Sequence, residues 1–134
     1  MEKNIGNIKH TKKIAADFSK SLKKGDVVFL YGELGAGKTT FTKYVMEDLG
    51  YKGNVVSPTF VLERRYKTNN FTVYHLDLYR INTADLSLLQ FLNDKDENGV
   101  YFIEWPEIIE GIIIPNYKTY IKVVSENLRN IKIN

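Results

Sequence analysis

Gly32, Glu33, Leu34, Gly35, Ala36, Gly37, Lys38 and Thr39 fit the spacing G-x-x-x-x-G-K-[ST]. The chemistry of that spacing is phosphate binding. Backbone amides must converge on the anion, and glycine permits both the positive dihedrals and the close approach this needs. Lys38 supplies a point charge for β- and γ-phosphates, and Thr39 a hydroxyl for magnesium. A helix starting at Lys38 aims its N-terminal amides at the same anion. The plain alternative is a glycine-rich turn. The context favours phosphate binding, because the apolar run VVFLY precedes the loop and a helical pattern follows it.

Such a site also needs an acid near the magnesium, usually at the end of a neighbouring buried strand. Asp77 in YHLDLYR and Glu104 at the end of VYFIE both qualify. The strand around Asp77 alternates, which leaves a solvent-facing Asp77 open. The strand ending at Glu104 is apolar throughout and reads as central. Glu104 is therefore the expected metal ligand, with Asp77 either supporting the metal site from behind its ligands or orienting water. Trp105, the only tryptophan, flanks the metal acid. SPTF, residues 57–60, reads either as a turn into a strand or as a switch loop that senses the γ-phosphate through its hydroxyls, Thr59 among them. NDKD places its lysine one position late for a guanine-reading motif, and DENG precedes a strand instead of following one. ATP is the expected nucleotide.

The elements that must hold these residues follow from periodicity. Thr11 is the expected N-cap of a helix running to about residue 22, with Ile14, Ala15, Phe18 and Leu22 on one face. A strand over 27–31, the glycine loop and a helix over about 38–49 come next, the helix closed by Gly50. Residues 60–66 and 71–79 are rich in aromatic and β-branched types, and Thr68, Asn69 and Asn70 read as their hairpin turn. A short helix is expected over 83–92, a buried strand over 100–104, and a second hairpin from 117–124 and 128–133. Buried and alternating strands together predict a three-layer α/β fold with a mixed sheet. With the phosphate loop the expected fold is of the P-loop NTPase type, its central sheet largely parallel.

At 134 residues and 43% hydrophobic content the chain suits a single domain with a real core. It has no cysteine, which excludes disulfides and thiolate metal sites. MEKNIGNIKHTKK has no apolar core of the kind a secretory signal needs, and no apolar run is long enough to span a bilayer. A cytoplasmic location is expected, without a membrane partner. The net charge of +3 permits an RNA partner but does not argue for one.

GELGAGKTTF, SPTF, YHLDLYR and IEWPE occur in that order over about residues 11–115. In this combination the chain resembles the TsaE family, the small bacterial ATPases of tRNA threonylcarbamoyladenosine biosynthesis. The resemblance implies a weak intrinsic ATPase dependent on magnesium. It also implies an accessory role, acting on the threonylcarbamoyl transferase subunit and that enzyme's inactive paralogue without transferring the group itself. Those partners modify the adenosine after the anticodon of tRNAs reading codons that start with A, and ATP turnover resets the complex between rounds. By position, the phosphate loop runs from Gly32 to Thr40, Thr39 and Glu104 match the magnesium ligands, and Asp77 matches the essential acid. Lys38 and Thr59 join Asp77 as candidate catalytic residues. Asn7 and Ile8 fall where the adenine contact lies, Trp105 beside the nucleotide, and Arg129 at a C-terminal nucleotide contact. The chain departs from the pattern after Arg80, where NTADLSLLQFLNDKDENG replaces a Glu-Glu-Leu segment and an early glycine, and at Glu33, where aspartate is commoner.

Two other readings are open at this level. A small-molecule P-loop kinase shares the strand–loop–helix start, with Arg64 and Arg65 as lid arginines, although no lid-length segment follows them. A nucleotide-gated binding module without turnover is the other.

Overall fold

The computed structural model describes residues 4–33, 35–58, 63–81 and 94–134, with the backbone alone at 4 and 5. The expectations for Leu34, Thr59 and a helix over 83–92 lie outside the described residues.

Helix α1 spans Ile8–Ser19, one turn earlier than the sequence implies. The cap is Asn7, not Thr11: the Asn7 carboxamide oxygen accepts a hydrogen bond from the His10 backbone N–H at 3.2 Å. Ile14, Ala15, Phe18 and Leu22 are all buried as expected, Leu22 lying just past the helix. The helix stops early where serine hydroxyls compete for its last carbonyls: Ser19 donates to Ala16 O and Ser21 to Phe18 O, each at 2.7 Å. Helix α2 spans Lys38–Asp48 and packs against α1, and Ser19 and Asp48 hydrogen-bond across the pair.

Seven strands form one sheet in the order β1-β7-β6-β2-β5-β4-β3. They are β1 Asn4–Gly6, β2 Val27–Tyr31, β3 Glu63–Lys67, β4 Thr72–Asp77, β5 Val100–Glu104, β6 Tyr117–Ser125 and β7 Leu128–Ile133. The central four, β6, β2, β5 and β4, pair in parallel. Antiparallel pairing is confined to the margins, in the β3–β4 and β6–β7 hairpins and at β1. Thr68 closes the first hairpin as expected, its backbone N–H reaching Phe71 O at 3.0 Å.

Alternation divides the core in two. Val28, Leu30, Val73, Val100 and Phe102 face α1 and α2. Val27, Phe29, Leu76, Tyr101 and Ile103 face the other way, beneath a 3₁₀ turn at Pro106–Ile109. Burial on both faces explains why β2 and β5 are apolar throughout. It places the carboxyl ends of three parallel strands, at Tyr31, Glu104 and Asp77, along one edge. Among the described residues no helix is long and apolar enough to cross a membrane.

Candidate functional site

The loop leaves β2 at Gly32, where a β-carbon would lie 2.7 Å from the Ile121 carbonyl oxygen. Only glycine lets the chain pass so close to β6. At the other end Gly37 takes φ 108° and ψ 18°, left-handed, and caps α2 with no side-chain hydrogen bond. The first amides of α2 are thereby left for an anion. Arg129 on β7 fixes the loop from behind, its Nε donating to Ala36 O at 3.0 Å. Its Nη1 donates to Ser125 O at 3.1 Å, Glu126 O at 3.3 Å and Leu128 O at 3.1 Å.

Lys38 is 5% exposed. Its Nζ lies 3.7 Å from Glu104 Oε1 and 4.3 Å from the centroid of the Trp105 ring, with no hydrogen-bond partner. Burial pushes the ammonium below its ordinary pKa, against the opposing pull of Glu104 and Asp77. A buried ammonium with unused donors is complementary to a ligand rich in acceptor oxygens.

Glu104 and Asp77 stand side by side in the parallel register of β5 and β4. Both are buried, at 4% and 5% exposure. The solvent-facing option for Asp77 is thus excluded: Asp77 shares its face of β4 with Val73 and His75, which lie on the helix-covered side of the sheet, and all three are buried. Asp77 Oδ1 accepts from the Tyr79 backbone N–H at 2.9 Å. Glu104 Oε2 lies 2.6 Å from His75 Nε2, and His75 is fully buried. His75 is the residue that sequence reasoning overlooked. The available signal was its spacing: two positions before Asp77 on a strand, it shares the face of that acid.

Trp105 has φ 53° and ψ 56°, the sole non-glycine residue with positive φ among the described ones. This backbone costs about 1–2 kcal/mol. It turns the chain directly after Glu104 and sets the indole against Tyr79, centroids 4.8 Å apart.

Two cavities meet at the loop. One of about 220 Å³ is lined by Gly35, Gly37, Lys38, Thr39, Thr40, Ser57 and Glu104. The other, about 460 Å³, is lined by Asn7, Ile8, Ala36, Gly37, Thr40 and Arg129 among others. The structure therefore gathers Lys38, Thr39, Thr40 and Glu104 on one side of the loop, and Asn7, Ile8 and Arg129 on the other. Among the described residues no cluster of three His, Cys, Asp or Glu side chains is placed to hold a metal ion. Magnesium beside a bound phosphate requires no such cage: one or two protein oxygens suffice, the rest coming from phosphate and water. The Thr39 hydroxyl and the Glu104 carboxylate in the smaller cavity are hard oxygen donors of that kind.

A parallel strand, a glycine loop clamped at a helix start and acids at the next strand ends define a P-loop NTPase-like fold. Within that class the chain belongs to the TsaE family: the model described as threonylcarbamoyl adenosine biosynthesis protein TsaE matches residues 5–132. The chain is similar to the tRNA threonylcarbamoyladenosine biosynthesis protein TsaE of Rickettsia felis, 39% identical over 127 residues, covering 93% of this chain and 74% of the relative. The protein of that name from Bacillus subtilis is 42% identical over 106 residues, covering 78% of this chain and 65% of its own. Among solved structures, the crystal structure of Bacillus subtilis YdiB superposes with a TM-score of 0.77 at 32% identity, covering 98% of this chain and 82% of that one.

Proposed function

We propose that this chain is a magnesium-dependent ATPase of weak intrinsic activity, serving tRNA threonylcarbamoyladenosine formation in the cytoplasm as an accessory. In this reading it acts on the transferase subunit and its inactive paralogue, and reaches tRNA through them. The observation that carries the nucleotide half is the buried Lys38 ammonium, without a hydrogen-bond partner, in one cavity with Thr39 and Glu104. Family membership carries the pathway half.

Lys38 exchanges its contact with Glu104 for phosphate oxygens when ATP enters, and the amides behind Gly37 take the remaining charge. Thr39 and Glu104 are the residues that would hold magnesium, which when bound would supply positive charge against the charge developing on the phosphates. His75 keeps the Glu104 carboxylate fixed by its hydrogen bond. Asp77, held by the Tyr79 amide, orients the attacking water. Asn7 and Ile8 face the adenine and Arg129 steadies the loop. The kinase reading finds no support at Arg65, which lies 3.3 Å from Glu63 and over the Tyr74 ring, on the sheet face away from α2.

The test is calorimetric ATP binding with GTP as competitor, and ATP turnover with and without the transferase pair. ATP preferred over GTP, slow turnover alone, and stimulation by the pair are expected. Binding of the pair that ignores whether ATP, ADP or no nucleotide is present would sink the accessory role. Turnover that requires a small-molecule acceptor would restore the kinase.

A further inference from the structure

The sheet face opposite α1 and α2 carries, on β6 and β7, an exposed set of aromatic and basic residues that the phosphate site does not use. Thr119 and Ile121 are buried, so Lys118, Tyr120 and Lys122 alternate onto the other face. Register sets Tyr120 beside Tyr31 on β2 and beside Lys132 on β7. The two tyrosine rings stack, centroids 4.7 Å apart and planes within 9°. Tyr31 is itself fixed by a hydrogen bond from its hydroxyl to Glu110. Lys132 Nζ lies 5.9 Å from the Tyr120 centroid, and Tyr120 is 36% exposed. Lys118 and Lys122 flank Tyr120 along its own strand, each about 7 Å away. A cavity of about 390 Å³ opens beside the pair, lined by Tyr31, Gly32, Glu33, Tyr120 and Lys122 among others.

We propose that this face binds a single-stranded RNA segment, one base seated against Tyr120 in the cavity and the phosphates running along Lys118, Lys122 and Lys132. A rigid aromatic pair on a strand gives a base its stacking partner. Three lysines around one ring supply the complementary charge, whereas an apolar partner surface would desolvate all three. Glu33 is the opposing charge in the cavity and confines the phosphates to the lysine side. The choice of RNA over DNA rests on the function proposed above, in which the transferase pair brings tRNA alongside this chain. The site itself rests on the side chains alone.

The test is fluorescence anisotropy of a labelled, unstructured oligouridine with the full chain, from 50 to 300 mM salt. Binding should weaken with salt with a log–log slope of about −2, as three neutralised phosphates imply on a single strand. Tyr120→Ala should weaken binding about tenfold at constant salt, for the loss of one stacked base. Changing Lys118, Lys122 and Lys132 together to Gln should flatten the slope. The same charge change at Lys20, Lys23 and Lys24 should leave both affinity and slope nearly unaltered. ATP affinity, measured on each variant, should stay at the parent value, and the melting temperature should fall only modestly in Tyr120→Ala, for the loss of its stack on Tyr31. A failure here with ATP binding intact therefore leaves the proposed function standing. Equal loss in both lysine triples, no effect of Tyr120→Ala in a folded variant, or displacement of the RNA by polyglutamate as readily as by unlabelled oligouridine would overturn the proposal. The last outcome would mark the face as a site for an acidic protein.

Discussion

Lys38 is held without ligand between a carboxylate and an indole, and neither gives its ammonium a hydrogen bond. Replacing it with alanine removes charge-assisted bonds to phosphate worth about 1.5–3 kcal/mol. Calorimetry of Lys38→Ala should show ATP affinity lower by about 10- to 100-fold, with the melting temperature no lower than the parent's. An unchanged affinity would refute the phosphate-loop assignment. The two acids should separate by role. Glu104→Gln keeps shape but removes the charge beside Thr39, so the magnesium concentration for half-maximal turnover should rise most in that variant. Asp77→Asn should spare ATP affinity and depress turnover. A magnesium titration in which Asp77→Asn shifts the midpoint more than Glu104→Gln would reverse the two assignments.

At the level of elements, the glycine loop depends on the β6–β7 hairpin. The Arg129 guanidinium ties Ala36 O to the carbonyls of Ser125, Glu126 and Leu128. Arg129→Ala leaves those acceptors without their charged donor and should lower stability by about 1–3 kcal/mol in urea unfolding. ATP affinity should fall with it, because the loop amides lose their alignment. Arg129→Lys should rescue little, since one ammonium cannot span both sides. A second tie joins β4 to the turn before β5: Tyr74 donates to Asp96 at 2.7 Å. That bond, then burial, raises the Tyr74 pKa to about 12. The same bond holds Asp96 below its ordinary value. A raised phenol contributes stability that is present below its unfolded pKa of about 10 and lost as pH climbs through the folded value. A lowered carboxyl contributes stability that is present above its unfolded pKa and lost in acid. Tyr74→Phe should therefore melt below the parent between about pH 5 and 10, and the gap should close outside that window. A gap independent of pH would show that packing, not the hydrogen bond, carries the difference.

The whole molecule is a sheet whose parallel centre presents three strand ends to one loop, braced by antiparallel hairpins. Filling the site links α1, α2, β5 and β7 through one ligand, so binding should register as global stability. At about 100 times Kd, ATP with magnesium adds about 2.7 kcal/mol. For a chain of this size that is about 10 °C in melting temperature. A thermal scan should show the shift with ATP, a smaller one with GTP at equal concentration, and none in Lys38→Ala. Equal shifts with both nucleotides would remove the adenine preference expected from the misplaced NDKD and DENG.

The phosphate loop, the strand before it, the helix after it and both hairpins were legible in the sequence because each rests on local physics. Glycine dihedrals, strand alternation and helical periodicity involve residues within one turn or one hairpin. Glu104 was legible for the same reason, as the end of an uninterrupted apolar run. The start of α1 was not, because Asn7 and Thr11 are both competent caps and Asn7 caps from one turn earlier. The burial of Asp77 was not legible either: alternation marks two faces but does not say which is covered, and only the packing over the face it shares with Val73 and His75 decided it. The ion pair and hydrogen bond that join Lys38, Glu104 and His75 come from three separate elements. Asn7, Ile8 and Arg129 come to the rear of the loop from opposite ends of the chain, an alignment that family resemblance anticipated and residue chemistry did not. Long-range pairing is set by the free energy of the packed sheet as a whole, so only the tertiary structure decides which distant side chains share a site.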